Sequence, residues 1–217
     1  MPRGRAPTYD AQREAILAGA AKLFAERGYS DVSMAEVARA CGVSKPLLYH
    51  YVRDKDDLLV LICEGHVSRL VELVRETIAE ESEPEARLKL MIRRFVEAYA
   101  EARHEHRVLT QDVKFLTGAG KARVLARERE VVGAFADTIA LLRPEAGAEN
   151  LHKPLTMLLF GMINWMFTWL KPDGELTYEA MAPVVTELFF GGIASVRSPV
   201  TVKKIRRRPT QTKETLA

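Results

Sequence analysis

Ser33-Met-Ala-Glu-Val-Ala-Arg-Ala-Cys41-Gly-Val-Ser44-Lys-Pro-Leu-Leu-Tyr-His-Tyr51 is the stretch on which the reading of this chain turns. Ser33 and Glu36 stand three apart, the capping-box spacing in which each side chain satisfies the other's orphan amide, so a short helix is expected over Met34–Ala40. Cys41-Gly42-Val43 then makes a three-residue break with glycine free to take positive φ. Ser44 can cap a second short helix over Lys45–Tyr51, and Pro46 falls in its first turn, where a missing N–H costs nothing. Upstream, Ile16, Ala20, Leu23 and Phe24 form one apolar stripe, which predicts a helix over Tyr9–Arg27 capped by Thr8 or Asp10 and closed by Gly28. Downstream, Asp54 caps a longer helix whose face runs through Leu58, Leu59, Ile62, Val67, Leu70, Leu73 and Val74 towards Ile78. That helix bridges the first three to everything that follows.

Two short helices joined by a glycine-containing turn and braced by a longer one are the sequence image of a DNA-binding helix-turn-helix. Helical hairpins of other kinds share that spacing. The chemistry of the second short helix narrows it, with polar donors at the N-terminus and aromatics behind, as a helix presented end-on to a major groove requires.

Those caps, the turn glycine, the Leu48-Tyr49 pair and Asp54-Lys55-Asp-Asp-Leu-Leu fall in register with the TetR family of bacterial repressors, which the first 60 or so residues resemble. The resemblance implies an all-α homodimer with a three-helix DNA-binding head and a ligand-binding, dimerising body. Carried onto this chain, it implies that Ser33 and Tyr49 contact phosphates and that Lys55 holds the DNA backbone. Ser44, Lys45, Leu48 and His50 would lie in or against the major groove. Physical chemistry supports the polar roles separately, since lysines neutralise phosphates and release counterions while hydroxyls and helix N-termini donate to phosphate oxygens. Tyr49 has a second reading, as an aromatic bracing the first helix. Val52-Arg53 departs from the Phe-Pro pairing the family often shows there, leaving less apolar volume under the turn. Pro2-Arg3-Gly4-Arg5 reads either as a basic arm able to enter a minor groove or as a solvated terminus.

The chain has 217 residues, 47% hydrophobic and 28% charged, an ordinary globular balance that excludes wholesale disorder. Its formal charge of +3 hides a segregation. Residues 1–55 carry nine Lys and Arg against six Asp and Glu, residues 56–196 carry sixteen against twenty-two, and residues 197–217 carry seven against one. These divisions are the expected domains: arm and DNA-binding head, ligand-binding and dimerisation body, and basic tail. An acidic body should avoid a polyanion that the basic head meets. Two cysteines, Cys41 and Cys63, cannot build a disulfide framework and, with no signal-like segment at the start, fit a reducing cytoplasm.

In the body the apolar pattern resumes after Pro84 through Leu88, Met91, Ile92, Phe95 and Tyr99, and further helices are expected over Arg107–Leu116, Lys121–Leu142, Pro154–Leu170 and Tyr178–Ser195. Leu155–Leu170 is apolar all round except Thr156, Asn164 and Thr168. At sixteen residues it falls short of the ~20 needed to span a bilayer, which makes it a buried helix and argues against a membrane partner. A helix apolar on every face is covered cheaply by a second subunit. By resemblance the homodimer forms through residues 154–170 and 178–195, with Pro183 predicting a kink near Ala182. The run from Phe160 through Trp165 and Trp169 to Leu176 resembles a branch of the family that regulates fatty-acid, aromatic-acid and steroid breakdown and responds to acyl-CoA thioesters. That resemblance implies an acyl chain lying among Phe95, Tyr99, Phe115, Leu116, Asn164, Trp165 and Trp169, with Arg123 or Lys171 near the CoA phosphates. Dimer packing alone is the other reading of the two tryptophans.

The expected function is therefore a ligand-released repressor that binds double-stranded operator DNA as a dimer, with a helical enzyme or a DNA-free binding protein as the alternative. The enzyme finds little support. His104 and His106 are two apart and so point from different faces of a helix, unlike a zinc pair, and no phosphate-cradling loop or nucleophile elbow stands out. Neither a metal nor a cofactor is expected. The tail run Val202-Lys-Lys-Ile-Arg-Arg-Arg-Pro admits three readings: DNA contact, an anionic membrane surface, or a solubilising extension.

Overall fold

The computed structural model describes residues 8–144, 151–170, 174–194 and 196, and the described residues form helices without a strand. The head is α1 (Tyr9–Arg27), α2 (Met34–Ala40) and α3 (Lys45–Tyr51), followed by the long α4 (Lys55–Glu80). Each begins where a short polar side chain can take an orphan amide. The Ala11 N–H donates to Thr8 Oγ1 at 3.3 Å, the Leu47 N–H to Ser44 Oγ at 3.3 Å and the Asp57 N–H to Asp54 Oδ1 at 2.7 Å. At α2 the capping box is complete: the Glu36 N–H donates to Ser33 Oγ at 3.3 Å and the Ser33 N–H to Glu36 Oε2 at 2.9 Å. Gly28 at φ 85° ends α1 and Gly42 at φ 65° makes the turn between α2 and α3, conformations that any side chain would strain.

The body adds α5 (Pro84–Glu101), α6 (Arg103–Asp112) with a 3₁₀ turn over Val113–Phe115, α7 (Gly118–Leu142), α8 (His152–Trp169) and α9 (Tyr178–Ile193). Two helix starts differ from the sequence expectation by three residues or more. α6 starts four residues early, at Arg103, because a single residue, Ala102, with φ −108° and ψ 41°, suffices to separate it from α5. α7 starts at Gly118 instead of Lys121, since the glycines that read as a linker form its first turn. A Cβ at Gly120 would come within 2.6 Å of Val60 Cγ2, so the missing side chain is what lets α7 lie against α4. α9 runs on through Pro183, which sits in its second turn.

Burial divides into two clusters. The first joins Ile16, Phe24, Val37, Leu48, Leu58 and Ile62 of the head to Val108, Leu109, Leu116 and Val124 of α6, its following turn and α7. The second joins Leu70, Val74, Met91, Phe95, Phe135, Phe160 and Phe189. α4 enters both, with Leu58–Val67 in the first and Leu70–Val74 in the second, so head and body share one rigid rod. Glu64 on that rod accepts from Arg123 Nε at 3.0 Å and Arg127 Nη1 at 2.8 Å, tying α4 to α7 between the two clusters. Among the described residues no helix is long and apolar enough to cross a membrane.

Candidate DNA-recognition face and ligand-binding interior

The head presents one compact polar face. Ser33, at the start of α2, is exposed but engaged, its Oγ donating to Glu36 Oε2 at 2.8 Å. At α3, Ser44, Lys45, Leu47, Tyr49 and His50 are all exposed, and Lys45 Nζ stands 5.9 Å from the Tyr49 ring centroid. His50 is steadied edge-on by Tyr9 at 5.9 Å and Tyr51 at 5.4 Å, the two tyrosines themselves lying 4.8 Å apart. α3 is thus braced on α1 by Tyr51, not by Tyr49, which stands clear of the core.

Leu48 does not belong to this face. It is 0% exposed and packs with Ile16, Phe24 and Val37, whereas its neighbour Leu47 is 40% exposed. A two-turn helix lying on a core buries the side chain that falls on its inner stripe, and here that is Leu48. Leu47 replaces it as the apolar side chain available to a groove. Sequence reading missed it because either leucine satisfies the pattern until the helix is rotated onto α1.

Lys55 serves the head before it can serve DNA. Its Nζ donates to the Ser30 carbonyl at 3.3 Å and stands 4.3 Å from the Tyr29 ring centroid, while the Tyr29 hydroxyl donates to Asp56. Burial, and then the Asp56 carboxylate accepting its proton, push the Tyr29 phenol well above its ordinary range. The start of α4 and the α1–α2 turn are locked together, so the first N–H groups of α4 are held in one place.

In the body, the residues expected around one ligand fall into three places. Phe95 and Tyr99 of α5 are buried with ring centroids 5.8 Å apart, and Phe95 packs on Phe135 at 4.9 Å and Phe160 at 6.1 Å. Phe115 and Leu116 are elsewhere: they follow α6 on the head side, with Phe115 5.4 Å from Tyr29 and Leu116 in the first cluster. The 3₁₀ turn carries them away from α5 and removes them from the expected acyl site. Trp165 and Trp169 also leave it, since they point out of the bundle and line an apolar groove of about 500 Å³ with Met157, Leu158, Val184 and Leu188. Arg123 is committed to Glu64, and Lys171, like the arm at 2–5 and the tail at 197–217, lies outside the described residues.

What the sequence did not assemble is a buried histidine pair. His66 of α4 and His106 of α6 are 1% and 2% exposed, and His66 Nε2 lies 3.3 Å from His106 Nδ1. Tyr99 stacks on the His106 ring at 3.6 Å, and Phe167 of α8 meets its edge at 5.7 Å. Burial, then Arg69, lowers His66 to about 4, and burial, then His66, lowers His106 as well, so both are neutral at neutral pH. A signal for His66 existed, since it falls four residues from both Ile62 and Leu70 on the apolar stripe of α4. Asn164, one turn before Phe167, has its Oδ1 buried.

A helix-turn-helix with an exposed N-terminal recognition face, carried by a rod that runs into a helical body, defines a DNA-binding regulator. Residues 16–62 match the bacterial regulatory proteins of the tetR family, and residues 81–193 match the tetracyclin repressor-like C-terminal domain. The chain belongs to the TetR family of transcriptional regulators. It is 36% identical to a TetR-family regulator from Bordetella parapertussis whose crystal structure superposes with a TM-score of 0.81, covering 88% of this chain and all of that one. It is 25% identical to the HTH-type transcriptional activator FasR of Mycolicibacterium smegmatis over 199 residues, 89% of this chain and 88% of that protein. The crystal structure of AibR in complex with isovaleryl coenzyme A and operator DNA is 28% identical, with a TM-score of 0.71 over 82% of this chain and 97% of AibR. These relatives are regulators, and the helical-enzyme alternative is set aside.

Proposed function

We propose that the protein is a ligand-responsive repressor that binds a palindromic operator as a homodimer and is released by an acyl-CoA thioester. The observation that carries the reading is the exposed end of α3, with Ser44, Lys45, Leu47, Tyr49 and His50 on one face of a head fixed to α4. Lys45 and the hydroxyls of Ser33, Ser44 and Tyr49 supply phosphate contacts, the N-terminus of α4 at Lys55 holds the backbone, and Leu47 and His50 face base edges. Residues 1–55 act as the DNA-binding unit, 56–196 as the effector-binding and dimerising unit, and the basic run after 197 as a solubilising tail. Repression needs only occupancy of the operator, whereas activation needs a further surface for the polymerase.

The AibR complex, which holds isovaleryl coenzyme A, supports the effector class, and the place for it in this chain is the body interior beside Tyr99 and Asn164. The apolar groove around Trp165 and Trp169 supports the dimer. Because α4 spans both clusters, an effector that spreads the helices around its second half changes the separation of two heads from the ~34 Å that two half-sites one turn apart require. No cofactor is needed, and the protein works in the cytoplasm, where its DNA is. The test is an operator complex titrated with fatty, aromatic and steroid acyl-CoAs. Release by one of them is the expected result, and unchanged affinity with every one would remove the effector class.

A further inference from the structure

Among the described residues, three side-chain nitrogen or oxygen atoms are buried without a hydrogen-bond partner: His66 Nδ1, His106 Nε2 and Asn164 Oδ1. Folded proteins carry few such atoms, and each one asks for a cause. Two of the three are the outer ends of a single hydrogen-bonded pair. The third lies on α8 on the same face as Phe167, which touches His106. Four helices, α4, α5, α6 and α8, therefore bring His66, Tyr99, His106 and Phe167 into contact, with Asn164 one turn away.

The proton count of the pair restricts what can complete it. Two neutral imidazoles joined by one N–H···N bond keep one further proton between their outer nitrogens, so one outer end donates and the other accepts, whichever tautomer is present. Asn164 Oδ1 accepts only. A group that is itself both donor and acceptor can satisfy His106 and Asn164 together. A carboxylate has no proton to give Asn164, and it would bring a charge into a site where burial keeps the histidines from protonating to balance it.

Resting on the reading that the body takes an effector, we propose that His66, His106 and Asn164 form the hydrogen-bonding end of its site. They receive an uncharged group with both donor and acceptor, a hydroxyl or an amide, on the buried and otherwise apolar end of the effector. Tyr99 and Phe167 supply its apolar walls. His66 also forms part of the wall of a cleft of about 410 Å³ between α1, α4 and α6, together with Arg13, Leu17, Leu61 and Arg69. A ligand donor at His106 Nε2 selects the tautomer in which His106 Nδ1–H donates to His66, leaving His66 Nδ1 protonated. A ligand acceptor selects the opposite. The occupant's polarity is thereby passed to a residue that touches the cleft against α1 of the head.

The test uses the full chain near neutral pH with two probes of equal length, octanamide and octanoate. Calorimetry should give octanamide about tenfold tighter binding, the scale of one buried polar group gaining its partner. Nitrogen-15 NMR should show the ring signals of His66 and His106 moving with octanamide. His106→Phe should erase the preference, and His106→Gln, which keeps a donor and an acceptor, should restore part of it. Equal binding of the two probes, failure of octanamide to bind, or immobile histidine signals would each overturn the proposal. If His106→Phe does not fold, the wild-type spectra decide alone. Release of operator by octanoyl-CoA with unmoved histidines in octanamide removes this site and keeps the effector reading; the reverse pattern removes the effector reading and keeps the site.

Discussion

Leu47 and Leu48 are adjacent, chemically identical and opposite in role, which makes them a sharp test of how the head is built. Leu48→Ala should cost about 2–5 kcal/mol of stability by opening a cavity among Ile16, Phe24 and Val37, read as a fall in denaturant midpoint. Leu47→Ala should leave that midpoint in place and weaken operator binding. If the two variants exchange phenotypes, α3 is rotated from the orientation described. Lys45→Ala is expected to weaken binding evenly across operator sequences and to reduce the slope of log affinity against log salt by about one; an unchanged slope would take Lys45 off the phosphates. The histidine pair makes a prediction of another kind. Because burial lowers both pKa values below the unfolded ~6.5, the unfolded chain binds more protons in acid. The stability that the neutral pair contributes is complete above about pH 6.5 and is lost as pH falls from there towards the folded values. Asp112 and Glu128, whose carboxyls burial pushes up, act in the opposite direction over part of that window. The difference between wild type and a His66→Phe, His106→Phe double variant isolates the pair: the wild-type thermal midpoint should fall relative to the double variant's as pH falls from seven to five. Parallel curves would mean the histidines titrate normally.

At the scale of elements, the head was legible in the sequence because every boundary there is made locally. Thr8, Ser33, Ser44 and Asp54 each cap the helix that follows within three residues, and Gly28 and Gly42 take the backbone angles that close the turns. The body was less legible where packing across helices sets the boundary. Gly118 and Gly120 have the composition of a linker, and only the approach of Val60 makes them the first turn of α7. The aromatics expected around one acyl chain lie in three places for the same reason: an aromatic residue reads alike whether it packs inward like Phe95, turns towards Tyr29 like Phe115 or faces out of the bundle like Trp165. His106 was judged from the spacing to His104, while the residue it bonds lies forty positions away on α4. Gly120→Ala tests the close approach directly. The new methyl would stand 2.6 Å from Val60 Cγ2, so either that side chain turns or α7 moves from α4, at a cost of about 1–3 kcal/mol. A variant as stable as wild type would show that the two helices have room to spare.

At the scale of the whole molecule, the exposed side chains around the α8–α9 groove are the features a single chain does not account for. Trp165 is 66% exposed, and Met157, Leu158, Trp169, Val184 and Leu188 surround it with further apolar surface. Water against so many large apolar groups is unfavourable, and a contiguous patch of this kind marks an interface. A two-fold axis through it would bury the patch against its own copy and set two heads facing one side of a duplex. Leu158→Glu combined with Trp165→Glu places two carboxylates on each side of such an interface, where they would repel their counterparts without entering either core. The expected outcome is a monomer by sedimentation equilibrium with unchanged helical circular dichroism. Operator affinity should fall by roughly a thousandfold or more towards non-specific binding, because one head alone reads half a site. A chain that stays dimeric with both substitutions would place the subunit contact elsewhere. A monomer that keeps full operator affinity would break the link between the dimer and recognition of paired half-sites, and with it the route by which an effector in the body could release DNA.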